Sequence, residues 1–246
     1  MIRGRRAGLR AAGAVAAALA LLASAPAAAA AQVGHPPADS PFRDVTTRQH
    51  LSLLVGSFGG NTAVAGVGWR AGTLVTGRLE TRLGGALDFA VSLAVAGSSR
   101  IKIDTYADSA ARVSGPFDRS LLLADLGLAL NLTGAKTWRG LAPYVGLNAG
   151  WMTPTKGERD PGGYNAGANF TFAPSVGVRY RVSRGLALRL EARDYIWRYE
   201  WPLYYYQPVD HNGASITPAI IAASVSSRQR VHNLTLSAGL VYGFNF

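Results

Sequence analysis

The sequence predicts an all-β protein, an eight-stranded antiparallel up-and-down transmembrane β-barrel behind a cleaved N-terminal signal peptide. Three observations carry this reading. The first thirty or so residues have the charge and hydropathy profile of an export signal. Eight later stretches alternate apolar with small or polar residues at a period of two, which is the strand period. The connections between those stretches alternate between short and long.

The export signal opens with "MIRGRRAGLR", where Arg3, Arg5, Arg6 and Arg10 form a basic head, and an Ala/Leu run follows to about Leu22. "ASAPAAAAAQ" then offers small-x-small cleavage sites, so residues 1–31 read as a signal peptide cut near Ala31. Subtracting the four leader arginines lowers the formal net charge from +11 to +7. An exported chain of that charge meets anionic lipid and polysaccharide headgroups and little nucleic acid. The absence of cysteine removes disulfide frameworks, thiolate metal sites and a lipid-anchor cysteine from consideration. Residues 32–47, "QVGHPPADSPFRDVTT", are polar and Pro-rich and read as a flexible periplasmic lead-in, leaving 48–246 as the barrel domain.

The strands follow in order. "HLSLLVGSF" (50–58) places Leu51, Leu53 and Val55 on one face. "TLVTGRLETRL" (73–83) sets Val75, Leu79 and Leu83 against Arg78, Glu80 and Arg82. "ALDFAVSLAVA" (86–96) sets Leu87, Phe89, Val91, Leu93 and Val95 against Asp88 and small residues. "LLADLGLALN" (122–131) separates a leucine face from Asp125, Gly127, Ala129 and Asn131. "LAPYVGLNAGW" (141–151) opposes Val145, Leu147 and Trp151 to Tyr144, Gly146 and Asn148. "FTFAPSVGVRYRV" (170–182) opposes Phe170, Phe172, Val176, Val178 and Tyr180 to Ser175, Gly177, Arg179 and Arg181. "LALRLEARDYIW" (186–197) opposes Leu186, Leu188, Leu190 and Ala192 to Arg189, Glu191 and Arg193. "LTLSAGLVYGFNF" closes the set, with Leu234, Leu236, Ala238, Leu240, Tyr242, Phe244 and Phe246 against Thr235, Ser237, Gly239, Val241, Gly243 and Asn245.

An oily face of this kind could line the core of a soluble sandwich or face lipid around a barrel. The connections decide. Short links near 84–85, 133–140 and 183–185 alternate with long ones at about 59–72, 97–119, 152–169 and 198–231. Short periplasmic turns and long extracellular loops are the barrel pattern. Ten charges then fall on the inward face: Arg78, Glu80, Arg82, Asp88, Asp125, Arg179, Arg181, Arg189, Glu191 and Arg193. Trp69, Trp138, Trp151, Tyr195, Trp197 and Trp201 lie near strand ends, as two aromatic girdles require. Pro174 is the misfit, because it removes a ladder donor.

"PYVGLNAGW", "FAPSVGVRYRVSRGLALRLEARDY" and the terminal strand resemble the eight-stranded outer-membrane β-barrel domain family, the relatives of the OmpA transmembrane domain and OmpX. The resemblance spans about residues 48–246 and implies a monomer in the outer membrane of a Gram-negative-type envelope; with the sequence stopping at Phe246, the peptidoglycan-binding domain that follows the barrel in OmpA is expected to be absent. It also implies that Leu240, Tyr242, Phe244 and Phe246 are the assembly signal read by the barrel-insertion machinery, with lipid and lipopolysaccharide as the other partners. A barrel of eight strands is just wide enough to be filled by its own side chains. The expected role is therefore structural or surface-interacting, with at most a narrow pore.

Other chemistries leave thinner traces. A lipid-modifying barrel enzyme, similar to the lipid A deacylases, would use a His-x-Ser pair with an acid; His50 and Ser52 have that spacing but no acid near in sequence. His211 and His232 lie in or beside the last long loop with Asp210, and this one His-Asp neighbour pair is too few for a metal site, which needs three or four converging ligands. No catalytic, metal or cofactor-binding set is expected. Trp201, Tyr204, Tyr205 and Tyr206 in the last long loop suit either a recognition surface or the outer girdle.

Three geometric expectations follow. The strand at 50–58 should close the barrel against 233–246. "RIKIDTY" (100–106) and "SITPAIIAASV" (215–225) should extend existing strands above the membrane. Inward residues on the second and third strands are all even, so a three-residue loop at 84–86 should set Arg82 opposite Asp88, with Glu191 inside among the arginines.

Overall fold

The computed structural model describes residues 40–246 apart from 157, 158 and 211. The signal peptide at 1–31, the start of the lead-in and His211 lie outside the described residues. Among the described residues ten strands follow one another: β1 (Phe42–Asp44), β2 (Gln49–Phe58), β3 (Gly72–Gly84), β4 (Leu87–Ile103), β5 (Val113–Asn131), β6 (Lys136–Trp138), β7 (Leu141–Pro154), β8 (Asn169–Arg181), β9 (Leu186–Glu200) and β10 (Arg228–Phe244). Eight of them, β2 to β5 and β7 to β10, form a closed antiparallel barrel. It closes where β10 pairs with β2, from Thr235 opposite Phe58 to Phe244 opposite Gln49, as the alternation predicts.

The exterior decides between sandwich and barrel. Leu53 is 62 % exposed, Leu126 55 %, Leu190 59 % and Leu236 55 %, while the alternating Arg78, Glu80 and Arg189 are at most 1 % exposed. A soluble protein rarely leaves so continuous an apolar belt uncovered. In hydrocarbon the belt is solvated, and closing the sheet leaves no strand edge without partners along the paired ladders. Trp138 near the short-turn end and Trp151 near the long-loop end face outward, as girdle residues do. Trp151 meets Phe170 edge-on at 5.6 Å.

The register of the first tight hairpin is the one that charge pairing favours: Arg82 lies opposite Asp88. The turn differs from a three-residue loop. Gly84 pairs with Leu87, Leu83 bulges out of the ladder, and only Gly85 and Ala86 turn. The bulge supplies the odd residue that keeps both strands in phase. Gly85 has a φ of 52°, a left-handed conformation that glycine adopts without strain.

Four other expectations are corrected. Part of the lead-in is ordered, because β1 pairs with β6 beside the short turns. The long link at 97–119 is mostly strand, since β4 and β5 stay paired out to Ile103 and Val113; "RIKI" does extend a strand. "SITPAIIAASV" does not: its one bridge joins Val209 to Ser215, and β10 starts only at Arg228. Phe246 lies beyond the ladder, which ends at Phe244; there the side chain of Asn245 takes over by accepting from the Arg48 N–H at 2.7 Å.

Candidate functional site

Two layers fill the interior, a charged one built by inward strand residues and an aromatic one built by β9 together with the long loops. In the layer nearer the short turns, four carboxylates meet four arginines. Glu80 on β3 takes both Nη1 and Nη2 of Arg189 on β9, at 2.7 and 3.2 Å, and Nε of its neighbour Arg78 at 3.0 Å. Glu191 on β9 receives Arg78 Nη1 from across the lumen at 3.2 Å, Arg189 Nη2 at 2.9 Å and Arg193 Nε at 3.0 Å. Asp125 on β5 takes Arg193 Nη1 on both oxygens at 3.0 Å. Asp88 on β4 accepts from Arg179 Nη2 at 3.0 Å and from Asn131 Nδ2 at 2.9 Å. Such charges are expensive to bury singly; here each carboxylate has at least one guanidinium partner.

Tyr144 on β7 ties this layer together. Its hydroxyl donates to Glu191 Oε2 at 2.6 Å and accepts from Arg189 Nε at 2.7 Å, while Arg189 and Arg179 stack over its ring at 4.6 and 5.1 Å. The ring lies over Gly177, its register partner on β8. A Cβ at Gly177 would fall 2.4 Å from the ring's Cζ, so only glycine leaves the tyrosine room.

Of the ten predicted interior charges, the structure brings Arg78, Glu80, Asp88, Asp125, Arg179, Arg189, Glu191 and Arg193 into this network. Arg82 is at its edge, 3.7 Å from Asp88 and donating to the Val45 carbonyl at 2.9 Å. Arg181 departs from the expectation: it sits where β8 ends, and its guanidinium caps the turn carbonyls of Ser183 and Arg184. There the wall gives way to the turn, which supplies nearer acceptors than any lumen carboxylate.

The second layer is aromatic and corrects the girdle assignment. Trp69, Tyr195, Trp197 and Trp201 are buried inside the protein together with Tyr164, Tyr199 and Tyr205. Tyr164, Trp201 and Tyr205 form a mutually contacting set with centroids 5.4 to 6.2 Å apart, in which Trp201 and Tyr205 stack and Tyr164 is tilted against both. Arg100 on β4 reaches this layer with Nη2 2.5 Å from Asp160 Oδ2 of the long loop and its guanidinium over Trp69 and Tyr164. Burial raises the pKa of Asp160 above the ordinary aspartate range, and Arg100 opposes that rise.

The remaining candidates are dispersed. His50 and Ser52 both face the lumen, about 7 Å apart along β2 by strand rise. The His50 ring sits on Thr47 Oγ1 at 3.0 Å, and Ser52 Oγ accepts from Arg189 at 3.4 Å. Glu80 lies opposite His50 in the register, an acid that sequence proximity misses, yet its oxygens are held by arginines. Asp210 caps its own loop by accepting from the N–H groups of Asn212 and Ala214. His232 instead pairs with Asp194 at 2.6 Å on the outer wall. Leu240 and Tyr242 face outward; Tyr242 stacks on Phe244 at 6.0 Å, and Phe244 meets Phe246 edge-on at 5.0 Å.

A model of the family described as "Outer membrane protein beta-barrel domain" matches residues 15–244. No curated protein matches the sequence. Among solved structures, the chain is similar to Neisserial surface protein A, with 15 % identity over 83 % of this chain and 98 % of that one and a TM-score of 0.49. It is also similar to the outer membrane protein OprG of Pseudomonas aeruginosa, with 11 % identity over 85 % and 100 % of the two chains and a TM-score of 0.48. The N-terminal β-barrel domain of Pseudomonas aeruginosa OprF gives 10 % identity over 80 % and 98 % and a TM-score of 0.42.

Proposed function

Because the chain belongs to the outer membrane protein β-barrel domain family, we propose that it serves as a structural or surface-interacting protein of the outer membrane, with a lumen sealed by its own side chains. The observation that carries this is the network in which Arg78 of β3 reaches Glu191 of β9 across the lumen and Arg189 binds both Glu80 and Glu191. An ion path would have to separate these pairs, and the aromatic layer sits in series with them. Residues 1–31 direct export, the short turns face the periplasm and the long loops face outward. Lipid and lipopolysaccharide surround a monomer, and the outward aromatics of β10 are what the insertion machinery reads.

The alternative of a lipid-modifying enzyme has its pair in the wrong place. His50 and Ser52 face the lumen, already engaged by Thr47 and Arg189, and acyl lipid reaches the other face of that strand. A recognition role for the loops draws on Tyr106 and Tyr204, whose rings meet at 5.7 Å and leave Tyr204 exposed. Planar-bilayer recording tests the sealed lumen. Purified protein gives no stable conductance steps at neutral pH; reproducible ohmic steps from a single barrel contradict the reading.

A further inference from the structure

The barrel wall is not paired to the same height everywhere. Between β8 and β9 the ladder is continuous from Arg181–Ala187 to Ser175–Arg193, and only Phe172 and Ile196 pair above it. Pro174, which has no N–H, and Asp194 fall in a two-residue gap that the ladder crosses without a change of register; beyond Phe172–Ile196 the pairing of β8 with β9 ends. Above Ile196, β9 is paired on its other side alone, with β10 as far as Glu200 opposite Arg228, while β8 from Asn169 pairs only with β7. A cleft of about 1060 Å³ lies where the β8–β9 pairing ends, lined from one side by Gly163 to Phe172 and from the other by Ile196 to Pro202, with Arg230. Consecutive β9 residues line it, so it joins the outward Phe170, Phe172 and Ile196 to the inward Tyr164, Trp197 and Trp201.

The charges at its mouth do not balance. On the outward faces of β9 and β10 at this height, Asp194 pairs with His232 and Glu200 pairs with Arg228 at 3.0 Å. That leaves Arg198 and Arg230, which are direct register partners with no carboxylate partner among the described residues. Like charges directly opposed across a ladder repel unless an anion joins them. They stand where the outer wall changes from Leu188, Leu190 and Ala192 to charged residues, the level of headgroups. Deeper in the cleft the Trp201 indole N–H, in a residue 5 % exposed, has no acceptor among the described residues.

We propose that this cleft is a binding site for an anionic acyl lipid of the surrounding leaflet that carries an unmasked phosphomonoester: the phosphate bridges Arg198 and Arg230, a chain enters between β8 and β9, and an ester carbonyl takes the Trp201 N–H. The site is separate from the charged network, so its failure leaves the sealed-lumen reading intact.

Brominated-lipid quenching of tryptophan tests it. Trp138→Phe with Trp151→Phe removes the lipid-facing indoles and leaves Trp69, Trp197 and Trp201, which a closed wall would shield. The protein is folded into phosphatidylcholine vesicles containing a minor fraction of either chain-brominated phosphatidic acid or chain-brominated phosphatidylcholine. The phosphatidic acid should quench the interior indoles with about tenfold higher apparent affinity. Arg198→Gln with Arg230→Gln abolishes that preference, and the corresponding double lysine variant retains it. Heat-modifiable migration confirms that each variant is folded. Interior tryptophans untouched by either lipid, equal quenching by both, or a preference that survives the double glutamine variant would each overturn the proposal.

Discussion

Glu191→Ala lowers the thermal midpoint of the barrel further than any loop substitution. The carboxylate accepts from Arg78, Arg189, Arg193 and the Tyr144 hydroxyl, so its loss leaves the closed lumen one positive charge in excess and three guanidiniums short of an acceptor. Removing one partner from a buried ion network costs about 3–5 kcal/mol, because the partners left behind stay desolvated. Asp88→Ala costs less: the Arg179 that it leaves is still 3.7 Å from Glu80, and Arg82 still holds the Val45 carbonyl. Gln207→Ala, on the exposed last loop, stays within about 0.5 kcal/mol of the parent. Gel-shift melting of the three variants gives the order directly. Midpoints for Glu191→Ala and Asp88→Ala that match Gln207→Ala would show that these carboxylates are not buried partners.

The second large effect separates assembly from stability. Phe246 is fully exposed and touches the fold through the edge of Phe244, so Phe246→Ser should change the refolded protein's melting by no more than about 0.5 kcal/mol. Tyr242, Phe244 and Phe246 are nevertheless the row of aromatics that the insertion machinery is proposed to read. In cells, Phe246→Ser should therefore sharply deplete the heat-modifiable barrel from the outer membrane, and adding Tyr242→Ser and Phe244→Ser should deplete it further. Fractionation that finds the single and triple variants at parental levels would remove the assembly role from this strand end.

The barrel was legible because its signals are periodic. Alternation names the faces, parity narrows the first hairpin to two registers, and charge pairing chooses the one that sets Arg82 opposite Asp88. Where parity was set aside, the reading failed. Tyr195, Trp197, Tyr199 and Trp201 share the odd numbering of Arg189, Glu191 and Arg193 and so had to point inward; closeness to a strand end was the weaker guide. The pairing of Arg78 with Glu191 was not legible, because β3 and β9 are separated in the sheet by β2 and β10 and meet only across the closed lumen. Arg181 could not be told from Arg179 by period alone, since what differs is the end of the wall. Pro174 was visible as a lost donor, but the sequence does not say that the ladder resumes in the same register at Phe172 and Ile196 and ends above them, as it does here.

The inside-out assignment underlies all of these expectations, and contacts measured by NMR on the barrel in lipid nanodiscs test it most directly. The methyl groups of Leu53, Leu93, Leu126, Leu190 and Leu236 should give cross-peaks to the acyl chains. The Nε–H proton of Arg189 and the Nη1–H protons of Arg193 should exchange slowly with water and give cross-peaks to Tyr144 and Tyr195 respectively. Acyl-chain cross-peaks at those guanidiniums, or leucine methyls that contact only protein, would contradict the account.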